Sequence, residues 1–256
     1  MRTPDAILII PAAGAGTRLQ SSTPKVLSPV NGRAMIDYLF ERYKDAVRRV
    51  VLVVHPSFEA DVKRHVDTMG SALDVQYAQQ PAPTGMLDAV LLARDAAQQQ
   101  PSSRIWVTWC DQIGVHPDTI AMLRLLSEER AETPVILPTA QQTPPYIHLD
   151  RDGDGRITAI RQRREGDDMP AVGESDMGLF SLSPEAYFTL LPQFSSEATQ
   201  ASATRERNFL PFLPWLVQRG HSVVTFPSTN DMESVGINTP DDRRRLEDYL
   251  RDMERP

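Results

Sequence analysis

The chain has 256 residues, of which 41% are hydrophobic and 24% charged, proportions that fit a globular fold with ample core material. Its net charge of −7 gives no electrostatic case for nucleic acid or an anionic membrane surface as partner. One cysteine, Cys110, excludes a disulfide framework or a multi-cysteine metal site within one chain. A reducing, cytoplasmic setting is therefore expected. The N-terminal apolar run has the length expected of a strand rather than of a leader, and no run approaches the ~20 apolar residues of a membrane span. The basic clusters, Arg161 to Arg164 and Arg243 to Arg245, sit among acids and read as solvated faces.

In chain order, Ala6–Ile10 predicts a buried strand. Met35, Ile36, Leu39, Phe40, Tyr43 and Val47 recur at helical spacing. Val50–Val54 predicts a second buried strand, Ser57–Met69 a mostly polar helix, and Leu73–Ala78 a third strand. Met86, Leu87, Val90 and Leu91 mark a helix, and Ile105–Trp109 a fourth strand. Ile120, Leu123 and Leu126 mark a helix that Pro117 can open at its first position. Val135–Leu137 is a short strand. Tyr146–Leu149 and Arg156–Arg161 flank Asp152-Gly153-Asp154-Gly155, the chemistry of a hairpin turn. Gly178–Leu182 and Val223–Phe226 predict strands, Glu185–Leu190 and Phe209–Gln218 helices. Thr239-Pro240-Asp241-Asp242 carries the signals that start a last helix, with Leu246, Tyr249, Leu250 and Met253 as its apolar stripe. Gln193–Thr204, rich in Ser, Ala and Thr, is the candidate mobile loop. The β-α-β-α order predicts a doubly wound α/β fold, with a mostly parallel sheet covered on both faces and a small β-rich insertion. Nothing marks a domain boundary, so a single domain over 1–256 is expected. Ligands should collect at the carboxyl ends of the strands.

The stretch after the first strand, Pro11 to Leu27, holds two glycines, an arginine and a Pro-Lys pair. Glycine turns after a strand present backbone amides to phosphate. A dinucleotide fingerprint needs a third glycine where Leu19 stands, and its acid, Asp37, falls inside a helical pattern. A Walker A loop needs Gly-Lys-Ser/Thr after four spacers, and no such run occurs. A further reading is a glycine turn around a triphosphate, with Arg18 as a bidentate fork and Lys25 as a point charge, and a plain glycine turn with two surface cations stays open beside it. Two cations on one polyphosphate suit a reaction in which pyrophosphate departs.

Pro11-Ala-Ala-Gly-Ala-Gly-Thr-Arg18 followed by Pro24-Lys25-Val-Leu27 resembles the signature of the sugar-phosphate nucleotidyltransferase superfamily. Within that superfamily it resembles the uridylyltransferase domain of bacterial N-acetylglucosamine-1-phosphate uridylyltransferases. Further stretches resemble family motifs in order: Gln79 with Pro83-Thr84-Gly85, Trp109-Cys110-Asp111, Tyr146-Ile147-His148-Leu149, Glu174-Ser175-Asp176-Met177-Gly178, and Val235-Gly236-Ile237-Asn238. The resemblance spans residues 6 to 250. It implies a Rossmann-like, glycosyltransferase-A-like fold, with residues 1–140 as a nucleotide-binding half and 141–256 as an acceptor-binding half. It assigns the amides of Ala12, Ala13, Gly14, Ala15 and Gly16 to the triphosphate, with Arg18 and Lys25 catalytic. Gln79, Thr84 and Gly85 would read the base. Asp111 and Asn238, one carboxylate and one amide oxygen, would hold Mg²⁺, a hard cation that takes few protein oxygens and completes its shell with phosphates. Tyr146, Gln162, Glu174 and Asp176 would face the acceptor. The implied partners are an NTP, with UTP favoured, and a small phosphorylated acceptor.

The departures from the family pattern gather at the acceptor. Ile147 replaces a glycine, Gln162 a glutamate and Asp176 an asparagine, while Cys110 replaces the glycine before the metal aspartate. A cytidylyltransferase for a polyol or alcohol phosphate, or a non-catalytic NTP-binding homologue, therefore stays open beside the sugar 1-phosphate reading. Asp150 to Ile157 copies the first eight positions of a calcium loop, but Arg161 stands where position twelve needs a bidentate glutamate, so a hairpin turn is expected instead. Cys110 reads as a small, half-buried residue and not a nucleophile. The five histidines show no ligand spacing and read as structural or surface residues.

Overall fold

The computed structural model describes residues 5–14 and 23–253. Ala15, Gly16, Arg18 and Leu19 lie outside the described residues.

Strand β1 (Ala6–Pro11) is buried at every position. After it come a short hairpin of β2 (Pro29–Val30) and β3 (Arg33–Ala34), helix α1 (Met35–Tyr43) and strand β4 (Arg49–Val54). Helix α2 (Pro56–Met69) and strand β5 (Asp74–Gln79) complete the first half of the sheet, followed by helices α3 (Met86–Leu92) and α4 (Arg94–Gln98). Strand β6 (Arg104–Thr108), helix α5 (Pro117–Glu129) and strand β7 (Val135–Gln142) follow. Strands β8 (Ile147–Arg151) and β9 (Ile157–Gln162) form the expected antiparallel hairpin. Its turn is closed by the Asp152 carboxylate, which accepts from the amides of Asp154 and Arg156. Strands β10 (Gly173–Asp176) and β11 (Leu179–Leu182), helices α6 (Leu191–Glu197) and α7 (Phe212–Gln218), strand β12 (Val223–Pro227) and helix α8 (Pro240–Met253) complete the chain.

The eight-stranded sheet runs β10-β7-β11-β6-β1-β4-β5, with β12 paired to β7. The pairs of β1 with β4 and β6, β4 with β5, and β7 with β12 are parallel; β10 and β11 run antiparallel to their neighbours. Strand periodicity divides β1 between two cores. Leu8 and Ile10 meet Met35, Leu39, Tyr43, Leu123 and Leu246 on one face. Ile7 and Ile9 meet Leu87, Val90, Phe212 and Leu213 on the other. Helices α1, α2, α5 and α8 thus cover one face, and α3, α6 and α7 the other. Burial on both faces is why β1, β4 and β6 read as continuous apolar runs.

Two helices are started by the same device. The imidazoles of His55 and His116 accept from the amides two residues on, Ser57 and Asp118, with Pro at the first helical position of each helix.

The mobile-loop expectation for Gln193–Thr204 is corrected. Its first part is helix α6, pinned where Glu197 pairs with Arg219 and accepts from the Trp215 indole. In its second part the Glu165 carboxylate accepts from the Ala203 and Thr204 amides and the Thr204 hydroxyl. The Phe209–Gln218 helix begins only at Phe212.

Candidate active site

A cavity of about 860 Å³ opens where the carboxyl ends of β1 and β6 meet. Its wall includes Pro11 at the end of β1 and Gly14 just after it, and Trp109, Cys110 and Asp111 after β6. This is the crevice that the strand order anticipates.

Lys25 begins a 3-10 turn, Lys25–Leu27, that Pro24 precedes, and its amide returns to the Gly14 carbonyl at 3.4 Å. Its ammonium lies 2.5 Å from Asp111 Oδ2 and 3.3 Å from Asn238 Oδ1. Residues separated by up to 213 positions therefore meet at one nitrogen. Asn238 is presented by the start of α8. The Asp242 carboxylate accepts from the Asn238 and Thr239 amides, and the Thr239 hydroxyl accepts from Asp242 N–H. Gly236 lies flat on the Asp111 carboxyl, where a Cβ would come within 3.1 Å of Oδ2.

The Asp111 and Asn238 oxygens already converge on one cation, the Lys25 ammonium, so their direction fits a metal ion as well. Among the described residues no three His, Cys, Asp or Glu side chains group as metal ligands. A pair of oxygens suits Mg²⁺, which takes its remaining ligands from water and substrate phosphate.

The Ala12 amide does not face a phosphate, because it donates to the Val53 carbonyl at 2.7 Å. Gly14 reaches the cavity wall, whereas Ala13 does not. Gln79, Thr84 and Gly85 are not brought to the cavity either. The Gln79 amide donates to Glu59 on α2 at 2.5 Å, on an exposed surface. Thr84 and Gly85 instead clamp the chain near residue 207: Arg207 N–H donates to the Thr84 carbonyl at 2.8 Å, and Leu87 N–H to the Arg207 carbonyl at 3.0 Å. A Cβ on Gly85 would come within 2.4 Å of Arg207 backbone atoms. Gln80, which the motif passes over, is buried and donates to Thr84 Oγ1 and the Gly85 carbonyl.

Tyr146, Ile147, Gln162 and Asp176 line the other end of the cavity. Glu174 does not: Arg151 donates to both of its carboxylate oxygens at 2.6 Å. Burial pushes the Glu174 carboxyl up, but Arg151 and Thr139 outweigh it and hold the group below its ordinary range. Asp176 is held by the Gly178 amide at 2.8 Å, and burial pushes it up to about 6. Gly178 adopts a positive φ of 62°, and a Cβ there would come within 2.2 Å of the Trp109 ring. Trp109 is half-buried, set against Gly178 and packed on Phe180 and Phe209. Burial, with the neighbouring Asp111 charge, pushes the Cys110 thiol up to about 12, which leaves it no thiolate for nucleophilic work. Trp109, expected only as part of the Trp109-Cys110-Asp111 motif, lines the cavity, as do Arg164, which the charge pattern placed on a solvated face, and Asn208, which no motif marks.

Residues 8–206 match the family model of the MobA-like NTP transferase domain. The chain belongs to that family. It is also 26% identical over 264 residues to the bifunctional protein GlmU of Micrococcus luteus, an alignment that covers 97% of this chain and 51% of that protein. GlmU of Bacillus velezensis is 26% identical over 247 residues, with 95% and 52% covered, and GlmU of Lactobacillus gasseri 27% identical over 250 residues, with 97% and 51% covered. The chain spans about half the length of the curated relatives it matches. The mixed, mostly parallel sheet is the Rossmann-like fold expected of an NTP transferase domain. Among the described residues no helix is long and apolar enough to cross a membrane.

Proposed function

We propose that this NTP transferase domain joins an NTP, with UTP favoured, to a sugar 1-phosphate and releases pyrophosphate. The observation that carries the reading is the convergence of Lys25, Asp111 and Asn238 at the strand ends, beside Gly14. A pure binding site has no need of a carboxylate and an amide oxygen facing a phosphate loop.

In this reading an acceptor phosphate oxygen attacks the α-phosphorus of the NTP in line. The new P–O bond forms as the bond from that phosphorus to the α,β-bridging oxygen breaks, and pyrophosphate leaves with the electron pair. Gly14 and the following residues through Arg18 hold the triphosphate. Lys25 balances the charge that grows on the departing pyrophosphate. Asp111 and Asn238 would hold Mg²⁺, which would supply charge neutralisation and alignment of the two phosphates. Most of the rate then comes from positioning two anions against each other, with no covalent enzyme intermediate.

The acceptor meets Trp109, Ile147, Gln162 and Asp176. Shared descent with proteins named GlmU supports a sugar 1-phosphate, and the altered residues at this end support a sugar other than the one the resemblance implies. Pyrophosphate release from a panel of the four NTPs, each with sugar 1-phosphates and alcohol phosphates, tests the reading. UTP with one sugar 1-phosphate should stand out. Turnover only with CTP and an alcohol phosphate shifts the assignment, and NTP binding without turnover on any acceptor overturns it.

A further inference from the structure

Two loops carry the residues that converge on Lys25. One runs from Asp111 to His116 between β6 and α5, the other from Thr229 to Asn238 between β12 and α8. They run against each other. Gly236 covers the Asp111 carboxyl. Gln112 Nε2 donates to the Ser234 carbonyl at 3.4 Å. A Cβ on Gly114 would stand 3.7 Å from the Met232 carbonyl oxygen. His116 N–H donates to Glu233 Oε2 at 2.8 Å.

Glu233 is the unusual member. Its residue is 0% exposed, and a fully buried carboxylate is rare unless its oxygens are paired. Both oxygens are used. Oε1 accepts from the Thr229 hydroxyl at 2.6 Å and the Asn230 amide at 2.9 Å, which closes the 3-10 turn Asp231–Ser234. Oε2 reaches across to the other loop. Glu233 lies five residues before Asn238, and its partner His116 five residues after Asp111. One side chain therefore fixes the shape of one loop and its distance from the other.

We propose that Glu233 is a positioning residue that sets the separation of Asp111 and Asn238 by gripping the His116 amide, and so tunes the affinity of that pair for a divalent cation. The inference rests on the reading of Asp111 and Asn238 as a metal pair. A partner that orients a ligand from outside the coordination shell typically changes metal affinity by about 10- to 100-fold. Pair separation is the quantity such a partner controls here.

Glu233→Gln isolates the bridge. The carboxamide oxygen of that variant can still accept from Thr229 and Asn230, while its NH₂ then faces the His116 N–H, donor against donor. His116→Pro breaks the same bond from the other side, because proline has no N–H to donate and φ at His116 is −72°; it also removes the imidazole cap of α5, so His116→Ala, which loses the cap and keeps the bridge, is its control. Thr229→Val removes a different hydrogen bond of the same carboxylate and leaves the bridge intact. The readout is Mn²⁺ binding to the full chain by electron paramagnetic resonance, with methylene-bridged UTP and CTP analogues in turn. Circular dichroism and thermal melting run beside it. Glu233→Gln and His116→Pro should each weaken Mn²⁺ binding by about tenfold. In Mn²⁺ affinity the double variant should be no weaker than His116→Pro alone, since the bridge is the one bond the two share. Thr229→Val should lower melting temperature yet keep Mn²⁺ binding within about twofold. Equal Mn²⁺ affinity in wild type and both bridge variants overturns the proposal and leaves the metal pair standing. Wild type that takes up no Mn²⁺ with either nucleotide overturns the metal pair itself, and the bridge with it.

Discussion

The Lys25 ammonium lies 2.5 Å from the Asp111 carboxylate and 3.3 Å from the Asn238 side-chain oxygen, so one cation already sits where the proposed metal pair points. Lysine and metal are then alternatives at the same two oxygens. Lys25→Met should lower pyrophosphate release on the order of 10²-fold, the cost of losing one charge-stabilising group. Without divalent ions it should also lose about 1–3 kcal/mol of stability, because Asp111 is left as an uncompensated, mostly buried carboxylate. Adding Mg²⁺ should restore most of that stability but not the turnover. Thermal melts with and without Mg²⁺, beside a pyrophosphate assay, check both halves; a melt of Lys25→Met that ignores Mg²⁺ contradicts the shared site. Asp111→Ala should keep the fold and lose metal-dependent turnover.

Gly85 is required by packing. Its φ of 119° and the Arg207 backbone within 2.4 Å of any Cβ leave no room for a side chain. Gly85→Ala should cost about 2 kcal/mol or more, by strain at a positive φ and displacement of the 207–210 segment. That segment carries Asn208, Phe209 and Leu210 into the cavity wall, so acceptor KM should rise more than NTP KM. Gly153→Ala, in an open turn with nothing nearby, is the control and should be near neutral. Urea unfolding of the two variants decides it.

These two sites show how far the sequence could be read. The central strands were legible because burial on both faces leaves long apolar runs, and the hairpin after β8 because its turn chemistry is local. Lys25, Asp111 and Asn238 could be named from motifs, but their meeting at one point depends on sheet order, which no local pattern carries. Gln79 and Glu174 fit motifs and yet bond elsewhere, to Glu59 and Arg151, because a neighbouring charge outcompetes the cavity for each side chain. Helix α6 was missed since its Gln-Phe-Ser-Ser-Glu run lacks periodicity; tertiary contacts through Phe194 and Glu197 hold it. Ala12 looked like part of the phosphate loop, but its amide still belongs to the sheet.

Glu174 belongs to the wall that holds the β8–β9 hairpin. Arg151 grips it with two hydrogen bonds and also donates to Thr225 Oγ1, so the hairpin, β10 and β12 are joined at one point. Its pKa lies below the ordinary 4.5, so its contribution to stability is full above that value and is lost as pH falls through the folded pKa. Glu174→Gln should therefore destabilise the protein by about 1–3 kcal/mol at pH 7, with the difference from wild type shrinking toward pH 3. Acceptor KM should stay within about twofold. A large KM change at unchanged stability would return Glu174 to the acceptor.

Asp176 works in the opposite sense. Burial pushes it up to about 6 from an ordinary 3.8, against the pull of the Gly178 amide. Between those two values the folded chain holds the proton more tightly than the unfolded chain. Stability therefore falls as pH rises through that window, and above about pH 6 the full penalty, roughly 3 kcal/mol, is in place. An asparagine side chain at this position would accept from the same Gly178 N–H without a charge to bury. Asp176→Asn should then be more stable than wild type at pH 7.5 and indistinguishable from it below about pH 3.5, where both side chains are neutral. Urea midpoints across that range measure it, and a stability difference that does not vary with pH would sink the idea. The same carboxylate lines the acceptor end of the cavity, where above about pH 6 it can only accept hydrogen bonds. An acceptor hydroxyl that donates to it should bind wild type better as pH rises from about 5 to about 7, and that slope in KM should flatten in Asp176→Asn.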